Sequence, residues 1–154
     1  MPMRVRHPRL RLLFLLLALG VSAPATPACF TARLVAEYDE QVDRTATRLQ
    51  RAMDAFLTQL ESLPSSDPAR TYAENKEFYL QYGVDLRALK VRATGLQRNS
   101  ITVEQIDRME NSLEQLRSTH ESQNRLSPAA IREFRNLFNA AWTAILTFEL
   151  AKKR

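Results

Sequence analysis

The sequence predicts an all-α protein, an elongated antiparallel up-down four-helix bundle that follows an N-terminal signal peptide. Strand signals are almost missing, because the 154 residues include only three glycines and no Asn-Gly or Asp-Gly turn. Apolar residues instead recur at spacings of three and four, the period of an amphipathic helix. Short polar breaks divide the pattern into four segments and favour antiparallel neighbours. The alternative is three helices, with the third and fourth segments packed as a separate hairpin.

The first 28 residues have the layout of a signal peptide. A basic segment, 1–11, precedes ten apolar residues, 12–21, and a stretch of small residues, 22–28. Ten residues of helix span about 15 Å, half of the roughly 30 Å hydrocarbon core, which is too short for a stable membrane anchor. We therefore expect residues 1–28 to direct export and to be removed, leaving residues 29–154 as one helical-bundle domain.

Two cleavage sites fit the end of this leader. Residues 23–25 (APA) have the small-x-small pattern of ordinary signal peptidase, whereas residues 26–28 (TPA) place a small residue before Cys29, as in bacterial lipoproteins. A large aliphatic residue is usual at the position that Thr26 occupies. Cys29 is the only cysteine and cannot form an internal disulfide, so lipid attachment at Cys29 would account for it.

Helix one is expected over about residues 31–63 and helix two over about 68–97. Between them Asp67 can cap free N–H groups, and Pro68 fits a first helical position. Gly83 in helix two costs about 1 kcal/mol relative to Ala, so we expect a compensating close approach of a neighbouring helix, with a bend or a ligand contact as alternatives. The inward, heptad-like positions are Leu34, Tyr38, Val42, Thr45, Leu49, Ala52, Phe56, Leu60 and Leu63, then Tyr72, Tyr79, Tyr82, Leu86, Leu89, Ala93 and Leu96.

Helix three is expected over about 102–122 and helix four over about 127–153. Thr102 and Gln105 have the spacing of a capping box, and Ser127 precedes Pro128 as an N-cap precedes a first helical proline. The inward positions are Val103, Ile106, Met109, Leu113 and Leu116, then Ile131, Phe134, Phe138, Ala141, Trp142, Ile145 and Phe148.

Three short motifs follow the leader. They are Cys29 followed by residues 34–39 (LVAEYD), then Asp43, Thr47, Leu49 and Gln50, and later residues 72–79 (YAENKEFY). Together they resemble the sequences of small uncharacterised bacterial lipoproteins, over nearly the whole chain after the leader. The resemblance implies export, lipidation and a helical fold, and it carries no catalytic residue with it.

Charge and residue types argue against several chemistries. Four of the 22 basic residues lie in the leader, so 18 basic and 17 acidic residues remain, and this balance offers no positive field to nucleic acid. Beyond the leader His120 is the only histidine, and the chain has no Glu-x-x-His pair, no Cys-x-x-Cys-His and no Gly-x-Ser-x-Gly. We expect no enzyme, no metal and no cofactor. His120 is expected at the surface or in a loop, and Met53 and Met109 in the core.

Two groups of residues are candidates for contacts with other molecules. Arg44, Arg48 and Arg51 form a basic row on helix one that suits an acidic partner or lipid headgroups, although flanking acids also suit a solvated face. Phe78 falls off the inward pattern and is expected as an exposed partner contact. In the up-down topology Lys152, Lys153 and Arg154 finish beside the start of helix one, where they would face a membrane or stabilise the end of helix four.

Two functions stay open. The preferred one is a non-enzymatic envelope protein that is lipid-anchored at Cys29 and binds an envelope partner, or itself, through a helix face. Because Phe30 and not Asp follows Cys29, we expect retention at the outer membrane, facing the periplasm. The alternative is a soluble periplasmic module that holds a small apolar or cofactor ligand between helices, with Gly83 and the tyrosines lining the pocket.

Overall fold

The computed structural model describes residues 35–153, and the segment Arg33–Arg154 forms one compact unit. Its four helices are α1 (Glu40–Ser62), α2 (Tyr72–Thr94), α3 (Ser100–Gln123) and α4 (Pro128–Ala151), with a short 3-10 turn at Pro68–Arg70 before α2. No strand occurs in the part of the chain that the structure describes, so the predicted all-α four-helix class is confirmed. The leader, Cys29, Leu34 and Arg154 lie outside the described residues.

The helices pack in a closed cycle. α1 packs against α4 and α2, and α3 packs against α2 and α4, so the alternative with a separate α3–α4 hairpin is wrong. An ion pair between Arg92 and Asp39 places the end of α2 beside the start of α1. A second pair, Lys153 with Asp43, places the end of α4 there too. Consecutive helices are therefore antiparallel, as their short connections predict.

The first helix begins later than expected. α1 starts at Glu40 and not near residue 31, because Asp39 is its N-cap and accepts the N–H of Val42 at 2.9 Å. The same carboxylate accepts two hydrogen bonds from Arg92, at 2.9 and 2.8 Å. This guanidinium, more than any other group, lowers the pKa of Asp39. Asp39 has an extended backbone and is held in place by Arg92 of α2, so helix α1 does not continue toward the N-terminus.

The other helix starts confirm some predicted caps and overturn one. Asp67 accepts the N–H of Ala69 at 2.8 Å, but the turn it caps is 3-10 and α2 itself begins at Tyr72. Ser127 accepts the N–H of Ala130 at 3.1 Å, as predicted. The expected capping box of helix three is wrong. α3 begins at Ser100, and Thr102 is buried in its first turn.

The core follows most of the predicted inward pattern along the four helices, and Ala46 and Leu57 are buried in addition. The predicted inward residues that are only half-buried are Tyr38, Thr45, Ala52, Leu63, Tyr72, Leu96, Val103, Ala141 and Phe148. Trp142 and Phe138 are its largest fully buried side chains, and the indole N–H of Trp142 donates to the hydroxyl of Tyr82 at 3.2 Å across the bundle. Met53 and Met109 are buried, as expected. Within residues 35–153, no helix combines the length and apolarity that a membrane span needs. The buried apolar residues of the helices are Val42, Ala46, Leu49, Met53, Phe56, Leu57, Leu60, Tyr79, Tyr82, Leu86, Leu89, Ala93, Ile106, Met109, Leu113, Leu116, Ile131, Phe134, Phe138, Trp142 and Ile145.

Candidate functional site

Helix α2 is apolar on two sides. Its inward side supplies Tyr79, Tyr82, Leu86, Leu89 and Ala93 to the core. On its other side the side chains of Leu80, Val84 and Val91 are 65%, 51% and 74% exposed. Spacings of four and seven place these three residues on one side of a helix. We call Leu80, Val84 and Val91 the outer face of α2.

A groove of about 500 Å³ runs between α2 and α3 beside this outer face. Tyr72, Tyr79 and Gly83 line it, so three of the groups expected around a ligand do come together. Tyr82 does not, because it is turned into the core. The volume is within the range of small-molecule sites. The other lining residues are Lys76, Leu80, Arg87, Glu110, Leu113, Glu114, Arg117 and Glu121.

Gly83 forms part of the groove floor. The neighbouring helix α3 does not come close enough to require a glycine at this position. A Cβ built at Gly83 would lie 3.7 Å from Cδ2 of Leu113 on α3, which is ordinary van der Waals contact. Its nearest neighbour, at 3.3 Å, would be Nη1 of Arg87, the far end of an exposed, flexible side chain. The expected compensation by tight helix packing is therefore wrong, and the ligand alternative for Gly83 stays open.

The charges on the two walls of the groove differ in their pairing. On α3, Arg117 donates to Glu114 at 2.6 Å, to Glu121 at 2.8 Å and to the hydroxyl of Tyr72 at 3.0 Å. The Glu114 carboxylate is the main cause of the raised pKa of Arg117. On α2, Lys76 lies 5.5 Å from the ring centre of Tyr72, and no carboxylate within residues 35–153 pairs with it. The α2 wall of the groove therefore offers the unpaired ammonium of Lys76 to a ligand.

His120 lies behind the groove and not at the surface. The residue is completely buried, which overturns the expected surface or loop position. Its Nε2–H donates to the carbonyl of Arg70 at 2.9 Å, and its Nδ1 accepts the hydroxyl of Tyr79 at 2.7 Å. A carbonyl can only accept, which assigns this tautomer. Burial lowers the pKa of His120, so the ring is the neutral partner of Tyr79.

The carboxyl end of α4 holds a second buried polar cluster. The Lys152 ammonium donates to Glu149 at 2.5 Å, to Asn99 at 2.6 Å and to Thr102 at 3.1 Å. Its side chain is only 2% exposed and that of Glu149 is fully buried. The expected membrane contact of Lys152 is therefore wrong, because this cation neutralises a carboxylate inside the bundle. Lys153 remains 47% exposed, with its ammonium 4.3 Å from the ring centre of Tyr38.

The remaining predicted contacts divide between surface and core. Arg44, Arg48 and Arg51 are exposed on α1, as expected. Arg44 pairs with Glu40, and Arg48 with Asp85 of α2, so the row is partly neutralised. 

Phe78 is not the exposed contact that its spacing suggested. It is half-buried and stacks on Phe56, with ring centres 3.8 Å apart and planes 11° apart. Its ring therefore belongs to the α1–α2 packing and leaves little area for a partner.

Residues 35–153 contain no group of three or more His, Cys, Asp and Glu side chains arranged to hold a metal ion. Among known proteins, no family model, no curated protein and no solved structure matches this chain. The candidate site is therefore defined by geometry alone: the outer face of α2 and the groove beside it.

Proposed function

We propose that the protein is a non-enzymatic module of the bacterial cell envelope, exported and lipid-anchored at Cys29, which binds a partner through the outer face of α2. The observation that carries the binding role is the exposure of Leu80, Val84 and Val91 on a helix whose other side is already packed. Three aliphatic side chains that remain in water lose the stabilisation that burial would give them. An exposed apolar face of this kind is typical of an interaction site.

The spacing of the outer face favours a helical partner. Apolar residues separated by four and seven positions form the seam that a second helix covers in helix-in-groove and coiled-coil contacts. The partner is either an envelope protein or a second copy of this chain. Neither choice requires a metal, a cofactor or a reaction.

Site-specific photocrosslinking in the native host tests the binding role. A photoreactive amino acid at Val84 should give one adduct of defined mass, and the same group at Leu137 should not, because Leu137 is exposed on α4, away from the outer face. Leu80→Asp should abolish the Val84 adduct. An adduct of twice the chain mass identifies self-association. Equal yields from Val84 and Leu137, or an adduct that survives Leu80→Asp, would refute the proposal.

Metabolic labelling tests the anchor separately. The wild-type protein should incorporate labelled palmitate and fractionate with membranes, while Cys29→Ser should do neither. If both proteins are unlabelled and equally free of membranes, the lipid anchor is wrong. The crosslinking result would then still decide the role of the outer face.

A second function, ligand binding in the groove, is favoured by one observation: Tyr72, Tyr79 and Gly83 line the same space. The ligand would have an aromatic or apolar body, with an acidic group toward Lys76. Native mass spectrometry of protein purified from its host should show a bound small molecule, and Gly83→Leu, which fills the floor, should remove it. Protein that carries no adduct, or an adduct that Gly83→Leu leaves in place, would contradict this function.

A further inference from the structure

The exposed apolar residues of the bundle form two groups of three and one isolated residue. Seven large apolar residues are exposed within residues 35–153, three of them on the outer face of α2 and one, Leu137, isolated in the middle of α4. The other three are Val35 at 37%, Ile101 at 49% and Leu150 at 47%. Val35 precedes α1, Ile101 lies in the first turn of α3, and Leu150 lies in the last turn of α4. We call these three residues the apolar end.

Contacts between their neighbours show that these three residues share one end of the bundle. The N–H of Ala36 donates to the carbonyl of Arg98 at 3.2 Å, which holds Val35 beside the α2–α3 connection. The hydroxyl of Thr102, next to Ile101, donates to the carboxylate of Glu149, next to Leu150, at 2.5 Å.

At the opposite end the α1–α2 and α3–α4 connections expose no large apolar side chain within the described residues. Leu126, in the α3–α4 connection, is 2% exposed. The exposure is therefore specific to the apolar end.

The described chain begins at this end, and Val35 is close to Cys29 in the sequence. Val35 follows Cys29 by six residues, and six residues reach about 20 Å even when fully extended. An acyl chain on Cys29 would keep the apolar end within that distance of the bilayer, where a short tether makes even weak contacts populated. Three acidic groups at this end each lie beside a cation: Asp39 beside Arg92, Asp43 beside Lys153, and Glu149 beside Lys152.

We propose that the apolar end is a second membrane contact, in which Val35, Ile101 and Leu150 enter the interface of a phospholipid bilayer. The inference rests on the lipid anchor of the proposed function. Apolar side chains at an anchored end add an interfacial contact to the acyl anchor, and this contact would fix how the bundle is oriented on the membrane. The bundle then stands on this end, and the outer face of α2 points sideways, with Val91 nearest the lipid and Leu80 farthest from it.

An artificial anchor tests this contact without relying on lipidation in the host. The chain from residue 29 carries Cys29→Ser and a preceding hexahistidine tag, and it is held on phosphatidylcholine–phosphatidylglycerol vesicles that contain a nickel-chelating lipid. Leu150→Cys carries an environment-sensitive fluorophore. Leu137→Cys is the matched control, because Leu137 is on the same helix at 39% exposure and about 20 Å away.

Fluorescence from Leu150→Cys should rise about twofold or more when the tethered protein binds vesicles, because the fluorophore leaves water for the interface. Leu137→Cys should not respond. Adding Ile101→Asp should remove the response at Leu150, and adding Leu137→Asp, an exposed change of the same chemistry in the middle of α4, should preserve it. Circular dichroism confirms that each variant remains helical.

Equal responses at Leu150 and Leu137, no response at either, or a Leu150 response that survives Ile101→Asp would overturn the membrane contact. The anchor itself is decided by palmitate labelling of the wild type. A labelled protein whose apolar end stays in water would leave the anchor standing and refute only this inference. A fluorescent response in a protein that never incorporates palmitate would support the membrane contact and refute the lipid anchor.

Discussion

Lys152 and Lys153 are adjacent cations with opposite surroundings, and this contrast gives the sharpest stability prediction. Lys152→Met keeps the length of the apolar side chain but removes the ammonium that donates to Glu149, Asn99 and Thr102. The Glu149 carboxylate then stays buried, with Oε2 already lacking a partner. Breaking a buried ion pair on one side costs about 3 to 5 kcal/mol of unfolding free energy, and we expect Lys152→Met to fall in this range.

Lys153→Met is the matched control. The Lys153 side chain is 47% exposed, 3.6 Å from Asp43 and over the ring of Tyr38. An exposed pair of this kind contributes about 0.2 to 1 kcal/mol. Both substitutions remove one positive charge near the carboxyl end of α4, so the effect of the helix dipole largely cancels between them. We expect the losses to differ at least threefold.

Urea denaturation measures both losses, followed by the fluorescence of Trp142, the only tryptophan, and by circular dichroism. Adding Glu149→Gln to Lys152→Met should recover part of the loss, because it removes the unpaired charge. Equal losses for Lys152→Met and Lys153→Met, or a loss below about 1 kcal/mol for Lys152→Met, would refute the buried ion pair. Lys152 would then be available to a membrane after all.

Three further predictions concern the core, the groove and the buried histidine. Leu49→Ala should cost about 2 to 5 kcal/mol and Trp142→Ala about 3 to 5 in urea denaturation, while Arg48→Ala, 62% exposed, costs under 1; the reverse order would contradict the register of α1. Gly83→Ala should raise the unfolding free energy by up to about 1 kcal/mol, because the methyl group displaces only the flexible end of Arg87, and a loss of stability would show that the groove floor is packed. Burial lowers the pKa of His120, so the unfolded state binds a proton on this ring more readily than the folded state does. The unfolding free energy of the wild type should therefore decrease as the pH falls below about 6.5, and that of His120→Gln should not show this decrease. Parallel pH profiles for the two proteins would contradict this.

Apolar periodicity predicts most of the fold because burial of apolar area is the dominant force in a bundle. The inward positions of α2, from Tyr79 to Ala93, are all buried in the structure. Ser127 was also predictable, since a capping residue acts on N–H groups three positions away. Helical burial and N-capping depend on residues that are close in the sequence, so both can be recognised from the sequence alone.

Long-range polar pairing leaves no such pattern. His120 meets Tyr79 at a separation of 41 positions, and Thr102 meets Glu149 at a separation of 47. A charged or polar residue on a helix is ordinarily predicted to be exposed to solvent. The residues next to it in the sequence do not indicate whether it has a partner on another helix. The late start of α1 has the same origin, since Arg92, which holds the cap at Asp39, comes from α2.

The outer face of α2 is exposed on a helix that is fixed at both of its ends. Near its start, Tyr79 is hydrogen-bonded to the buried ring of His120, which is itself bonded to the carbonyl of Arg70. Near its end, Arg92 is held by two hydrogen bonds to Asp39. A helix restrained in this way presents Leu80, Val84 and Val91 in one arrangement. The partner proposed above would meet a preorganised face, so its binding would cost little ordering entropy on this side of the interface.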